Sequence, residues 1–435
     1  MNLLASKALT TIQTALLISI IIVAGLVGVA AYVLLSGLDQ SADTIKIGVL
    51  ADLDAGGKGS WQAAILAAEQ INAEGGILGR TVEIIGEDTD QESGGDISTV
   101  TSALNRLLSV HEVDYIYSGV VGPSATAVQN IIAEHKTIMF SSVITDEFTE
   151  RVLDDYDTHK YSFRVNFNVS ISNQGITEIL LNLREQTGFN KIGYLAEPWA
   201  KAHREEFDYV WPEIHGFDLV YKGTFPYDTV DFTSYFAQAE AAGVEMLVPF
   251  VLTPVGIPLV KEWYDRQSPM LLGGGSLFAA AQPESWEQTD GKCEHVCVTN
   301  LPIVAGYPLT SKTLPAREAY IARWGETPGW VAAQTYDLLR FILPDAIERA
   351  GTTETEAVIK ALEETSIETT STRNFVFTSN HDVMIGDYVN DPDEDYYIVT
   401  YFQWQDGEMV PVYPENIREE AGATFTFPDW PGPWD

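Results

Sequence analysis

The chain has 435 residues and a formal charge of −37, from 62 acidic and 25 basic side chains. So acidic a surface repels polyanions and sets nucleic acid aside as a partner. The seven histidines are scattered, none in a zincin or nucleophile-elbow pattern, so no catalytic residue, metal ligand or cofactor is assigned and an enzyme is not expected.

Residues 15–35 form an apolar run of 21 residues without a charge. At about 1.5 Å per residue it spans roughly 30 Å, one bilayer crossing. Lys7 precedes the run, and Asp39 and Asp43 follow it. This asymmetry places residues 1–14 in the cytoplasm and, beyond a linker at 36–44, the bulk of the chain outside the cell. The expected location is the cell surface, with single-pass anchoring through this helix. No cysteine directly follows the run, so lipid anchoring is not supported. One fate of the helix is a plain uncleaved anchor. The other comes from SKALTTIQTALLISIII (6–22), which resembles the class III, pilin-like signals of archaeal surface binding proteins. Cleavage would then fall between Ala8 and Leu9, leaving Gln13 as the fifth mature residue and a helix free to anchor or self-assemble.

Past the anchor, roughly 390 residues suggest two or three domain-sized units. IKIGVL (45–50) reads as a strand, WQAAILAAEQI (61–71) as a helix, and TVEII (81–85) as the next strand. Between them, Gly75 and Gly76 stop the helix and Gly79 permits a tight turn. The alternation continues with VDYIYSGVV (113–121), SATAVQNIIAEH (124–135) and KTIMFSSV (136–143). NKIGYLAE, VEMLVPFVL and SPMLLGGG, beginning at Asn190, Val244 and Ser268, repeat it. Near-continuous apolar strands separated by helices indicate parallel sheets covered on both faces.

EQINAEGGILGR (69–80) closely resembles the segment that closes the first helix in type I solute-binding proteins of the branched-chain amino acid and amide uptake family. YSFRVNFNVSISNQG from Tyr161 resembles that family's first crossing between lobes. GWVAAQTYDLLRFILPDAIERAGTTETEAVIKAL (329–362) resembles its paired helices. FTSNHDVMIGDY, YFQWQDGEMVPVYP and FPDWPGPW resemble its later elements, in the same order. The resemblance covers nearly the whole exported part. It implies an α/β fold of two Rossmann-like lobes joined by a hinge of three crossovers, the type I periplasmic binding protein fold, preceded by one transmembrane helix. Lobe 1 would comprise 45–164 and 303–372, and lobe 2 165–302 and 373–435, with crossings at Arg164, Pro302 and Arg373. The implied function is capture of a small polar or amphipathic solute (an amino acid, amide or carboxylate) for an ABC permease and its ATPase. Two alternatives on the same fold are a ligand-sensing receptor and a pilin-like filament subunit.

In open parallel sheets ligands sit outside the carboxyl ends of the strands, so the loops there carry the site. In the first loop, ADLDAGGKGSW (51–61), Trp61 is a candidate cleft residue. GGKGS lacks the Gly-Lys-Ser/Thr order of a phosphate loop and adjoins Asp52 and Asp54. In the second loop the resemblance implies backbone N–H groups and a hydroxyl on a ligand carboxylate, here Val121, Gly122 and Ser124, although Pro123 lacks an N–H. In the third, SSVITDEFT (141–149), it implies Val143 and, above all, Thr145. In the second lobe Trp199 and Phe250 would form an apolar wall. Amino-acid binders of the family place an acid at the loop where this chain has Gly275 and Ser276. A buried unpaired ammonium is costly, so either Asp52 or Asp54 compensates or the solute is not a plain α-amino acid.

Three further residue groups lie outside that carry-over. HREE (203–206) reads as a solvated helix face. Asn168-Val169-Ser170 is a glycosylation sequon. Cys293 and Cys297, the only cysteines, would lie about 13 Å apart on a continuous strand. A disulfide needs Cα atoms within roughly 7 Å and therefore a turn at Glu294-His295; bridged and free thiols both remain open.

Overall fold

β1 (Ile45–Ala51) buries almost every side chain of IKIGVLA, as a strand covered on both faces must. It lies second in a five-stranded parallel sheet of order β2-β1-β3-β4-β5, with β2 (Val82–Asp88), β3 (Tyr115–Ser118), β4 (Ile138–Ser141) and β5 (Ser162–Arg164). A second parallel sheet, β10-β8-β6-β7, is built from β6 (Lys191–Ala196), β7 (Asp218–Thr224), β8 (Met246–Val251) and β10 (Ser276–Leu277), with β9 (Leu271–Leu272) paired to β8. β11 (Cys297–Thr299), β12 (Tyr401–Gln405) and β13 (Glu408–Tyr413) form a small antiparallel sheet. Trp404 of β12 fastens it to the second lobe by donating to Ala280 O at 2.7 Å. This computed structural model describes residues 44–434 apart from 55, 91–95, 121–122, 387–394 and 398. The 15–35 run, the Ala8-Leu9 junction, Val121 and Gly122 lie outside the described residues. Among those described, no helix is long and apolar enough to cross a membrane.

The first helix, α1 (Lys58–Ala73), ends where the glycines require. Gly75 and Gly76 have φ of +109° and +81°. A Cβ on Gly76 would lie 2.0 Å from Arg80 O, so no other residue fits there. Asn72 has a separate role: its amide donates to Val82 O (2.8 Å) and its carbonyl accepts from Val82 N (2.7 Å). That side chain thus pairs with the first residue of β2 as a strand neighbour would, which gives the Asn-Ala-Glu-Gly-Gly string its physical content.

Four more helices frame the site: α2 (Pro123–His135), α3 (Glu147–Asp154), α4 (Val169–Thr187) and α5 (Lys201–Tyr209). A later one, α6 (Trp330–Asp337), packs along α1. Tyr336 donates to Gln70 Oε1 at 2.6 Å, and Asp337, buried beside it, accepts from Thr370 N at 2.9 Å. Burial raises the Asp337 carboxyl above its usual range. The Tyr-Asp pair therefore ties the late helices to the first lobe. Near the chain's first passage between sheets, Phe167 meets Trp330 edge-on at 5.4 Å, and Gln334 donates to Asn166 Oδ1 at 2.6 Å. Residues 375–383 lie along β5, with Phe377 and His381 against Phe163 at 5.0 and 3.9 Å.

The turn between the cysteines forms, with His295 at φ +68°, but no disulfide does. The two thiols face different cores: Cys297 joins the cluster shared with the first lobe and Cys293 that of the second. Burial pushes Cys293 up to about 11 and Cys297 up to about 12. Thiolate is the reactive species, so native protein should take up no maleimide at pH 7, whereas protein unfolded in guanidinium should take up two. Intact-mass spectrometry reads both states, and labelling before unfolding would contradict the buried placement.

Candidate functional site

The first loop does not form a phosphate cradle. Lys58, its cation, pairs with Glu326 at 3.0 Å. Gly57 N donates to Asp52 O at 2.8 Å, and a Cβ there would come within 2.5 Å of that oxygen. The loop is therefore folded tightly on itself, with Asp52 buried and Asp54 exposed. Trp61 lies over the edge strand: a Cβ on Gly86 of β2 would be 2.8 Å from its ring. Its half-buried indole covers that strand rather than standing alone in a cleft.

In the second loop Ser118 is buried and its hydroxyl accepts from Val120 N at 3.4 Å. Ser124 is buried in the first turn of α2.

The third loop has the clearest geometry. Val143 is buried and Thr145 exposed. Behind them lies Arg164, the last residue of β5, with no exposed surface. Its Nη1 donates to Val143 O (2.8 Å) and Thr145 O (2.9 Å), and its Nη2 to Thr149 Oγ1 (2.7 Å). Its Nε lies 3.0 Å from Asp382 Oδ1, an ion pair without a well-aligned hydrogen bond. Asp382 Oδ2 accepts from Thr149 Oγ1 and from Asn168 Nδ2, each at 3.0 Å. Asn168 Oδ1 caps α4 by accepting from Ile171 N at 2.8 Å. The sequon nitrogen is thus engaged by Asp382, which a glycan would displace. Ile144 O accepts from Val169 N at 2.8 Å. Among the described residues, the N–H groups of Ile144, Thr145 and Asp146 make no hydrogen bond.

In the second lobe Ala196, Phe250 and Ser276 share one level across β6, β8 and β10. Trp199 follows β6 and is half-buried. Phe250, expected beside it on the wall, is fully buried behind it. Its ring sits 6.5 Å from Trp199, 5.5 Å from His203 and 5.6 Å from Phe207. Both faces of β8 are covered, all six of its residues being buried, and the Phe250 side is covered by α5. Gly275 is obligatory, because a Cβ would lie 2.1 Å from Pro249 O. No acidic side chain fits there on this backbone. Ser276 is half-buried.

Two residues of this lobe carry more than their sequence context suggested. Glu197, immediately after β6, is fully buried. It accepts from Trp199 Nε1 and Leu252 N at 2.9 Å each, and from the Thr253 hydroxyl. The carboxylate thereby holds the Trp199 turn against the loop after β8. An acid closing an apolar strand, just before Pro-Trp, was the available signal. His203, expected on a solvated face, is 2% exposed. The Asn173 amide donates to Glu206, so its carbonyl faces His203 Nδ1 at 2.5 Å and that nitrogen carries the proton. Among the described residues, Nε2 is buried without a partner.

Burial holds His203 down to about 4. A depressed folded pKa means its stabilising contribution is whole above about 6.5 and is lost as pH falls toward 4. Across that window the loss is expected to reach about 3 kcal/mol. Urea unfolding of wild type and His203→Phe at pH 7 and pH 4.5 checks this. The variant should lack most of the extra acid sensitivity, and equal slopes would exclude His203 as its source.

Among the described residues, no cluster of three or more His, Cys, Asp or Glu is placed to hold a metal. A family model described as periplasmic binding protein matches residues 44–400. The chain is 23% identical over 409 residues to Leu/Ile/Val-binding protein homolog 7 of Brucella suis biovar 1 (strain 1330), covering 90% of this chain and 96% of that one. In structure it is similar to a putative branched-chain amino acid ABC transporter from Silicibacter pomeroyi, with TM-score 0.76 and 19% identity over 89% of this chain and 100% of that one. It is also similar to the branched-chain amino acid transporter substrate binding protein LivJ of Streptococcus pneumoniae in complex with isoleucine, with TM-score 0.68 and 17% identity over 86% and 100% of the two chains.

Proposed function

The chain belongs to the periplasmic binding protein family, of the type I solute-binding kind, and on that premise we propose that it captures a small carboxylate- or amide-bearing solute between its lobes and delivers it to an ABC permease and ATPase. The single observation that carries this reading is the third loop, at the carboxyl end of β4: an exposed Thr145 whose N–H, like those of Ile144 and Asp146, has no partner among the described residues. Such an array suits a carboxylate or amide oxygen. We assign 45–164 and 303–372 to one lobe and 165–302 and 373–435 to the other, with 375–383 as a strap returning along β5. The 121–124 loop would complete the oxygen site, and Trp199, held by Glu197, would face the solute's apolar part, with Ser276 and the Gly275 backbone nearby. We place the protein at the cell surface, held by the 15–35 helix.

The obligatory Gly275 bears on selectivity. It leaves the second lobe without an acid at that loop, and Glu197 already accepts three bonds. Leucine-like amino acids should therefore bind less tightly than their des-amino acids, unless Asp52 or Asp54 reaches the ammonium. Calorimetry with leucine, 4-methylpentanoate and 4-methylpentanamide, alongside mass spectrometry of solute released from purified protein, tests this. Tight leucine binding that survives Asp52→Asn and Asp54→Asn together would refute the argument from the missing acid.

A further inference from the structure

We propose that Arg164 is the positioning residue of the oxygen-binding loop: it sets the direction of the loop's N–H groups from behind, and Asp382 sets the direction of Arg164. This rests on the reading of Thr145 and its neighbours as the solute's oxygen site.

The argument is one of peptide geometry. In a planar trans peptide the C=O of one residue and the N–H of the next point in opposite directions. Arg164 Nη1 takes the carbonyls of Val143 and Thr145, at 2.8 and 2.9 Å. The N–H groups of Ile144 and Asp146 must then point away from the buried guanidinium. Ile144 O is taken by Val169 N at the start of α4, which turns the Thr145 N–H away from that helix. Among the described residues none of the three N–H groups has a partner, and Thr145 between them is exposed. A loop free to choose would satisfy some of these donors internally. Here a fully buried cation holds the peptide planes against that choice.

Only a guanidinium suits this task. Its fork reaches the carbonyls of Val143, Thr145 and, at 3.5 Å, Asp146, the Thr149 hydroxyl and a carboxylate at once, which a lysine ammonium on a single flexible stem does not. Asp382 orients the fork, since Oδ1 faces Nε at 3.0 Å. Its Oδ2 accepts from Thr149, which itself accepts from Nη2, and from Asn168, the cap of the first helix after the crossing. The same carboxylate therefore touches the oxygen-binding loop's support, the crossing strand and the entry to the second lobe. Rotation at the hinge would be felt in the loop's donor directions through these bonds.

The test measures carboxylate-over-amide discrimination, which a merely structural role would not move. The full chain in detergent is titrated with 4-methylpentanoate and 4-methylpentanamide, as wild type, Thr145→Val and Arg164→Lys. Amide hydrogen exchange of 143–147 is followed with each probe. Expected results are protection of 143–147 by the carboxylate in wild type, and loss of that protection in Arg164→Lys. The carboxylate-to-amide affinity ratio should fall at least about tenfold in Arg164→Lys, the loss of one hydrogen bond to a charged acceptor. If Arg164→Lys does not fold, Asp382→Asn, which keeps the side-chain shape, replaces it with the same expectation. A fall in Thr145→Val with a ratio within twofold of wild type in the folded Arg164→Lys or Asp382→Asn would overturn the role of Arg164 and leave the site standing. An unchanged ratio in Thr145→Val, or no protection by either probe in wild type, would overturn the site itself and this proposal with it.

Discussion

Asp382→Ala is expected to lower the unfolding free energy by about 3–5 kcal/mol, because it leaves Arg164 buried without its countercharge. Arg164 has no exposed surface and Asp382 very little. Burial pulls the guanidinium below its ordinary range, while Asp382 and then Asp146 oppose that pull. Removing the carboxylate also strips Thr149 and Asn168 of an acceptor, and α4 loses the anchor of its cap. The paired change Arg164→Met with Asp382→Leu should cost less than the single one, since no charge is then left behind. Denaturant unfolding of the three proteins makes the comparison. A single-variant loss below about 1 kcal/mol would show that the pair does not depend on its partner charge.

Thr145→Val is expected to weaken carboxylate binding by about 1.5–3 kcal/mol, or roughly 10- to 150-fold, while leaving the fold intact. The substitution keeps the shape of the side chain and removes only its hydroxyl. Thr145 is exposed, so its effect on folding is expected to stay within about 0.5 kcal/mol. Ser276→Ala should change affinity far less, because the Ser276 loop offers no charge to the solute. Calorimetry against 4-methylpentanoate measures both. Equal effects at the two positions would move the oxygen site out of the third loop.

What the residues could specify alone was local. Apolar runs such as IKIGVL could only be buried strands, and Gly75-Gly76 could only be a helix stop, since Gly76 sits where a Cβ would meet Arg80 O at 2.0 Å. The two α/β sheets and the kind of family followed from such signals in order along the chain. The loops after the strands were legible as places, because parallel sheets direct ligands there; Thr145 came from the family resemblance, and its role is a proposal. Which way each side chain faces was settled by packing across long sequence distances. Phe250 turned into the core because its partners, His203 and Phe207, approach from α5. His203 left the solvated face its charged neighbours suggested because Asn173 of α4 meets it. Trp61 covers Gly86 across the β1-β2 edge, and the two cysteines, four residues apart, belong to different cores. Arg164 and Asp382 are 218 positions apart and reveal their joint role only when the fold brings them within 3.0 Å. Backbone requirements are met by single residues and can be read one at a time. Burial, pairing and donor direction are relations between distant residues, so the tertiary structure alone decides them.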